Sequence, residues 1–124
     1  MVAAFALGLA VTVALRLLIP HWRPDVLVVP SPMGWATRLD LSGFPSGHAY
    51  RSAFLFGWLS QELGAKRGGR WGQVACLGII GMVGFTRVAL NRHWASDVVG
   101  GWLLASCMLV IALAWKPRLS PKAA

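Results

Sequence analysis

Charge is scarce in this chain: 13% of its 124 residues are Asp, Glu, Lys or Arg, against about 25% in an average soluble domain. With 56% hydrophobic residues and a mean hydropathy of +0.60, that shortage argues against a small soluble domain and makes membrane insertion the default. Cysteine is scarcer still. Cys76 and Cys107 both fall inside apolar stretches, and their spacing supports neither a disulfide framework nor a metal site, so both read as small packed apolar residues. Four acidic residues stand against twelve basic ones, a net charge of +8. That charge suits nucleic acid, anionic lipid or a phosphorylated substrate. No basic helix, soluble module or aromatic ladder among basic residues is visible, which argues against nucleic acid.

What the chain does have is apolar length. A bilayer core of about 30 Å takes roughly 20 apolar residues of helix, and four stretches come near that: 2–19, 48–63, 71–90 and 96–115. The first carries no charge before Arg16 and stops at Pro20, which cannot continue the helical hydrogen-bond ladder. No basic segment precedes it and its run exceeds a signal-peptide core, so it reads as a retained span. The second is short at 16 residues, a mismatch that tilt or bilayer thinning absorbs; its Phe54, Phe56 and Trp58 suit a membrane-facing or interhelical surface. Gly78, Gly81 and Gly84 in the third form a small-residue stripe that predicts close helix packing. Residues 20–47, with five prolines, read as an interfacial loop holding a short helix around Met33 to Leu41. The expected fold is one all-α domain over 1–124, an integral-membrane bundle of four transmembrane helices with an interfacial loop.

Basic residues in short loops set orientation, because Lys and Arg are retained on the cytoplasmic side. The turn 64–70 (Lys66, Arg67, Arg70) and the tail (Lys116, Arg118, Lys122) belong to one face and hold six of the twelve Lys and Arg. That face is expected to be cytoplasmic. The opposite face carries Arg16, Arg23, Arg38, Arg51, Arg87 and Arg92, an excess that fits the rule only if those arginines are held by an anionic substrate.

Three polar pieces occupy that opposite face: Arg16-x6-Arg23-Pro24, Pro45-Ser46-Gly47-His48 and Thr86-Arg87-x5-His93-x3-Asp97. Charges at the ends of apolar segments are costly, so function explains them better than packing. A helix beginning by about Asn91, with Asn91 as its N-cap, would place His93 and Asp97 on one face. The carboxylate would then take the imidazole Nδ1 and leave Nε2 lone-paired and nucleophilic. The backbone N–H groups of Ser46, Gly47 and His48 fall in the first turn of the second span, where the helix dipole and unpaired donors favour an anion. That anion would favour the His48 imidazolium and make it a proton donor to a leaving oxygen. Arg16, Arg23 and Arg87 can grip phosphoryl oxygens in paired hydrogen bonds. Each piece alone also has a plain structural reading, as an i,i+4 pair, a helix cap or a snorkelling arginine, and Arg38, Arg51 and Arg92 keep the last of these. Joint occurrence at one membrane face shifts the balance. A third possibility is a metal held by His48, His93 and Asp97, which the nearby arginines oppose.

Taken together the pieces resemble the signature of the type 2 phosphatidic acid phosphatase superfamily: Lys-x6-Arg-Pro, Pro-Ser-Gly-His and Ser-Arg-x5-His-x3-Asp. Arg16 stands where the family has lysine and Thr86 where it has serine. The resemblance implies His93 as a nucleophile forming a phosphohistidine, Asp97 orienting it and His48 protonating the leaving group. Arg16, Arg23, Arg87, Ser46 and the Gly47 amide would hold the phosphoryl oxygens. No metal or other cofactor is implied. The expected substrate is a membrane lipid bearing a phosphate or diphosphate, of the undecaprenyl diphosphate or phosphatidic acid type, with a headgroup-binding module without turnover as the alternative. The expected location is a bacterial inner membrane with the site on its extracytoplasmic side. Membrane members are similar to six-helix bundles, so two N-terminal helices are expected to be missing. The chain then reads as a minimal version, a late-started reading frame, or a protomer that completes its bundle by homo-oligomerisation.

Overall fold

Five helices are found among the described residues. The structure, a computed structural model, describes residues 1–26, 32, 34–66 and 69–115. The helices are α1 (Val2–Leu18), α2 (Trp35–Leu41), α3 (Gly47–Gly64), α4 (Arg70–Ala89) and α5 (Ala95–Ala114). No strand occurs among the described residues, where Trp22 and Ser42 form an isolated antiparallel bridge. Met33, Arg67 and the basic tail with Lys116, Arg118 and Lys122 lie outside the described residues.

Each boundary has a local cause. Ile19 closes α1 in an extended conformation, its N–H on Leu15 O at 2.8 Å, just before Pro20 ends the ladder. Ser46 caps α3, its side chain accepting from the Ala49 N–H. α5 begins at Ala95, one residue from the expected 96, but its N-cap is Trp94 and not Asn91. Asn91 instead terminates α4 with φ of 53°, a left-handed conformation that asparagine tolerates better than most residues. That reversal folds the chain back, and the N–H groups of Arg92 and His93 both reach the Arg87 carbonyl, at 3.1 and 3.2 Å.

α3 is the central helix and packs against α1, α4 and α5. Its Tyr50 and Phe54 are fully buried and form a core with Ala4, Ala105 and Ala112. Phe5 of α1 stacks on Tyr50 at 5.8 Å between ring centroids and tilts against Phe54 at 5.3 Å. The Tyr50 hydroxyl is satisfied by donating to Phe5 O at 2.9 Å, as a buried phenol requires. α5 approaches the start of α3 through Gly101, where a Cβ would lie 2.6 Å from Ser46 O and 3.1 Å from Tyr50 N. Gly101→Ala is therefore expected to cost about 1–3 kcal/mol of stability through overpacking. Gly78→Ala is the control, because nothing lies within 4 Å of a Cβ there. Thermal unfolding of both variants in detergent checks the contrast, and equal midpoints would contradict it.

The glycine stripe is only partly used. Gly84 packs under Val98 and Trp102, whereas a Cβ at Gly78 or Gly81 meets open space. Cys76 is buried, but Cys107 is exposed, which corrects the expectation that both are packed inside. α4 and α5, each 20 residues with mean hydropathies of 1.4 and 2.0, are long and apolar enough to cross a membrane. α1 is apolar but shorter, at 17 residues.

Candidate active site

α1 and α4 end, and α3 and α5 begin, around one cavity of about 340 Å³. Its lining is Arg16, Arg23, Gly47, His48, Arg51, Arg87, Arg92 and His93. No carboxylate lines it. Seven cationic or potentially cationic side chains around one hollow is an arrangement that repels itself unless an anion enters.

Backbone holds the Arg16 side chain and the loop that carries Arg23. Arg16 donates from Nε and Nη2 to the Pro45 carbonyl at 3.3 and 3.1 Å, tying the end of α1 to the turn before α3. Arg23 lies in a loop pinned by its own N–H to Leu41 O at 3.2 Å and by the indole of Trp94 donating to the neighbouring Trp22 O at 3.0 Å. The buried Nε atoms of Arg23 and Arg87 have no partner among the described residues. Gly47 opens α3 between two guanidiniums: a Cβ there would lie 3.5 Å from Nη2 of Arg16 and 4.0 Å from Nη2 of Arg51. The N–H groups of Gly47 and His48, as the first two of a helix, lack intrahelical acceptors and carry its positive dipole end.

His93 and Asp97 do meet, although not on one helical face. His93 lies in the loop and Asp97 in the first turn of α5, with Nδ1 3.3 Å from Oδ2. Both are buried, Asp97 completely. The same Oδ2 accepts the Trp94 N–H at 2.9 Å, so one carboxylate caps α5 and holds the imidazole. With Nδ1 so engaged, Nε2 is the ring nitrogen left for the cavity.

Of the expected residues, Arg16, Arg23, Gly47, His48, Arg87 and His93 line the cavity, and Asp97 stands behind His93. Ser46 does not line it. Its side chain caps α3, its N–H donates to the Asp97 carbonyl at 2.9 Å, and the residue is fully buried. Thr86 turns its hydroxyl onto Val83 O at 2.9 Å, within its own helix. No group of three or more His, Cys, Asp or Glu side chains is placed to hold a metal among the described residues, so His48, His93 and Asp97 do not form such a set.

Three contributors escaped the sequence reading. Arg51 and Arg92, taken there as snorkelling arginines, line the cavity. Arg51 follows His48 by three residues, one helical turn on the same face, so its position could have been read from spacing. Arg92 pairs with Asp25 Oδ2 at 3.0 Å on the exposed rim, a contact across 67 residues that no local pattern signals. His21 approaches Asp97 from the loop.

A family model described as the PAP2 superfamily matches residues 1–121. The chain belongs to the PAP2 superfamily. This PAP2 chain is 38% identical over 82 residues to a PA-phosphatase related-family protein of Dictyostelium discoideum. That match takes in 59% of this chain and 24% of the relative, so it spans about a quarter of the relative's length. No solved structure matches this PAP2 chain.

Proposed function

We propose that this PAP2 protein is an integral-membrane, metal-independent lipid phosphatase. It hydrolyses a lipid phosphate or diphosphate monoester, of the phosphatidic acid or undecaprenyl diphosphate type, through a phosphohistidine. The observation that carries the reading is the carboxylate-free cavity of arginines with the His93–Asp97 pair at its wall. Nε2 of His93 attacks phosphorus as the bond to the lipid oxygen breaks, and His48 gives that oxygen its proton. Water then attacks the phosphohistidine, His48 takes a proton from it, and inorganic phosphate leaves with His93 restored. Arg16, Arg23 and Arg87, with the Gly47 amide, neutralise the charge that builds on the phosphoryl oxygens. The Ser46 hydroxyl, engaged as a cap, takes a supporting role in this scheme.

Four helices, α1, α3, α4 and α5, cross the membrane in this proposal, and residues 1–124 form one domain. Only 11% of the apolar window of α4 is buried within the chain, and its exposed Trp71, Leu77, Met82 and Phe85 suit lipid. The cavity lies at the end of the bundle opposite the 64–70 turn, and faces the extracytoplasmic side of a bacterial inner membrane. The decisive experiment is phosphate release by the purified chain in detergent from phosphatidic acid and from undecaprenyl diphosphate, with and without chelator. Release that persists in chelator is expected. Headgroup binding without release would replace the enzyme with a binding module, and release abolished by chelator would overturn metal independence.

A further inference from the structure

His21 lies between the two arginines of the first polar piece, and the scheme above gives it no task. Its Nε2 is 3.3 Å from Oδ1 of Asp97, the oxygen that faces away from His93. Both atoms are buried, and neither has a hydrogen-bond partner among the described residues. The contact has the distance of an ion pair without the geometry of a hydrogen bond. A buried carboxylate oxygen without a donor is costly, and His21 is the side chain placed to relieve it.

The loop is built to hold that imidazole. The Gly43 N–H donates to His21 O at 2.7 Å, while a Cβ at Gly43 would lie 2.6 Å from Asp97 Oδ2. Only a residue without a side chain lets this backbone come so close to the carboxylate. The ring of Phe44 meets the His21 ring edge-on at 6.1 Å. Asp97 is thus flanked by two imidazoles, one per oxygen. The side chain of His21 is 37% exposed, and that of His93 is almost wholly enclosed.

We infer that His21 is a positioning residue that fixes the Asp97 carboxylate in plane, so that Oδ2 stays on Nδ1 of His93 and the Nε2 lone pair keeps its aim. Its effect on turnover rests on the phosphatase reading; the three-residue geometry is tested without it. The chain has three histidines, His21, His48 and His93, so side-chain ¹⁵N spectra of histidine-labelled protein in detergent report each ring. Asp97→Asn is expected to move the ring signals of His21 and His93 together and to leave those of His48 in place. His21→Ala is expected to shift His93 toward averaged tautomers, and His21→Gln, which retains a donor, to restore it. Unchanged His21 signals in Asp97→Asn, or unchanged His93 signals in His21→Ala, would overturn the inference. Should His21→Ala not fold, His21→Phe, which fills the space without a donor, takes its place, and unchanged His93 signals there would overturn the inference. In lipid phosphate hydrolysis, kcat in His21→Ala is expected to fall on the order of tenfold with KM unchanged, the size usual for a partner that orients another group. Absent turnover in the unmodified chain would instead count against the phosphatase reading and leave the spectra to judge His21.

Discussion

Replacing His93 with alanine is expected to abolish phosphate release from every lipid substrate, a loss on the order of 10⁴-fold or more, as removal of a covalent nucleophile causes. The imidazole is buried at the cavity wall with Nδ1 on Asp97, whereas the lining arginine that meets a carboxylate, Arg92 on Asp25, is a guanidinium and no nucleophile. Alanine leaves the arginines untouched, so headgroup binding should survive the substitution. The measurement pairs phosphate release with lipid binding on the same preparation. It is completed by trapping an acid-labile phosphorylated protein in the unmodified chain and its absence in the variant. Full release by His93→Ala would remove His93 from the reaction and favour direct attack by water.

His48→Ala is expected to reduce lipid phosphate hydrolysis by about 10²- to 10⁴-fold, the usual contribution of a positioned general acid. A lipid alcohol or lipid phosphate departs poorly without a proton, whereas an aryl phosphate departs with little help. The loss should therefore shrink sharply on an aryl substrate. His48 is the second residue of α3 and lines the cavity beside Gly47, with His93 in the same lining. The check is the ratio of the two rate losses. An equal loss on both substrates would assign His48 to binding and not to proton transfer.

The helices were readable to within a residue or two at each end, because apolar runs of fixed length and the prolines that stop them depend on local chemistry alone. The motif residues were readable for a related reason: Arg16, Arg23, His48, Arg87 and His93 are spaced within short segments, and the bundle needs only to bring segment ends together. What escaped depends on the path between segments. The pairing of His93 with Asp97 on one face needed a helix starting by Asn91, whereas the left-handed backbone of Asn91 folds the loop back onto Arg87 and delivers His93 from outside the helix. Ser46 carries the motif's hydroxyl but spends it as a cap. Arg92 on Asp25 and His21 on Asp97 are contacts across 67 and 76 positions, which no periodicity encodes. Gly78 and Gly81 fit a packing stripe by spacing, yet only Gly84 meets a neighbour, because α5 comes near that end of α4 alone.

The bond from the Ser46 N–H to the Asp97 carbonyl joins main chain to main chain. In the proposed roles, the anchor of the proton donor and the anchor of the nucleophile are thereby one rigid unit, whose spacing no side chain decides. The Arg92–Asp25 pair, on the exposed rim, is no part of that link. Under the proposed function, exchange of the exposed Arg92–Asp25 pair leaves that main-chain link in place.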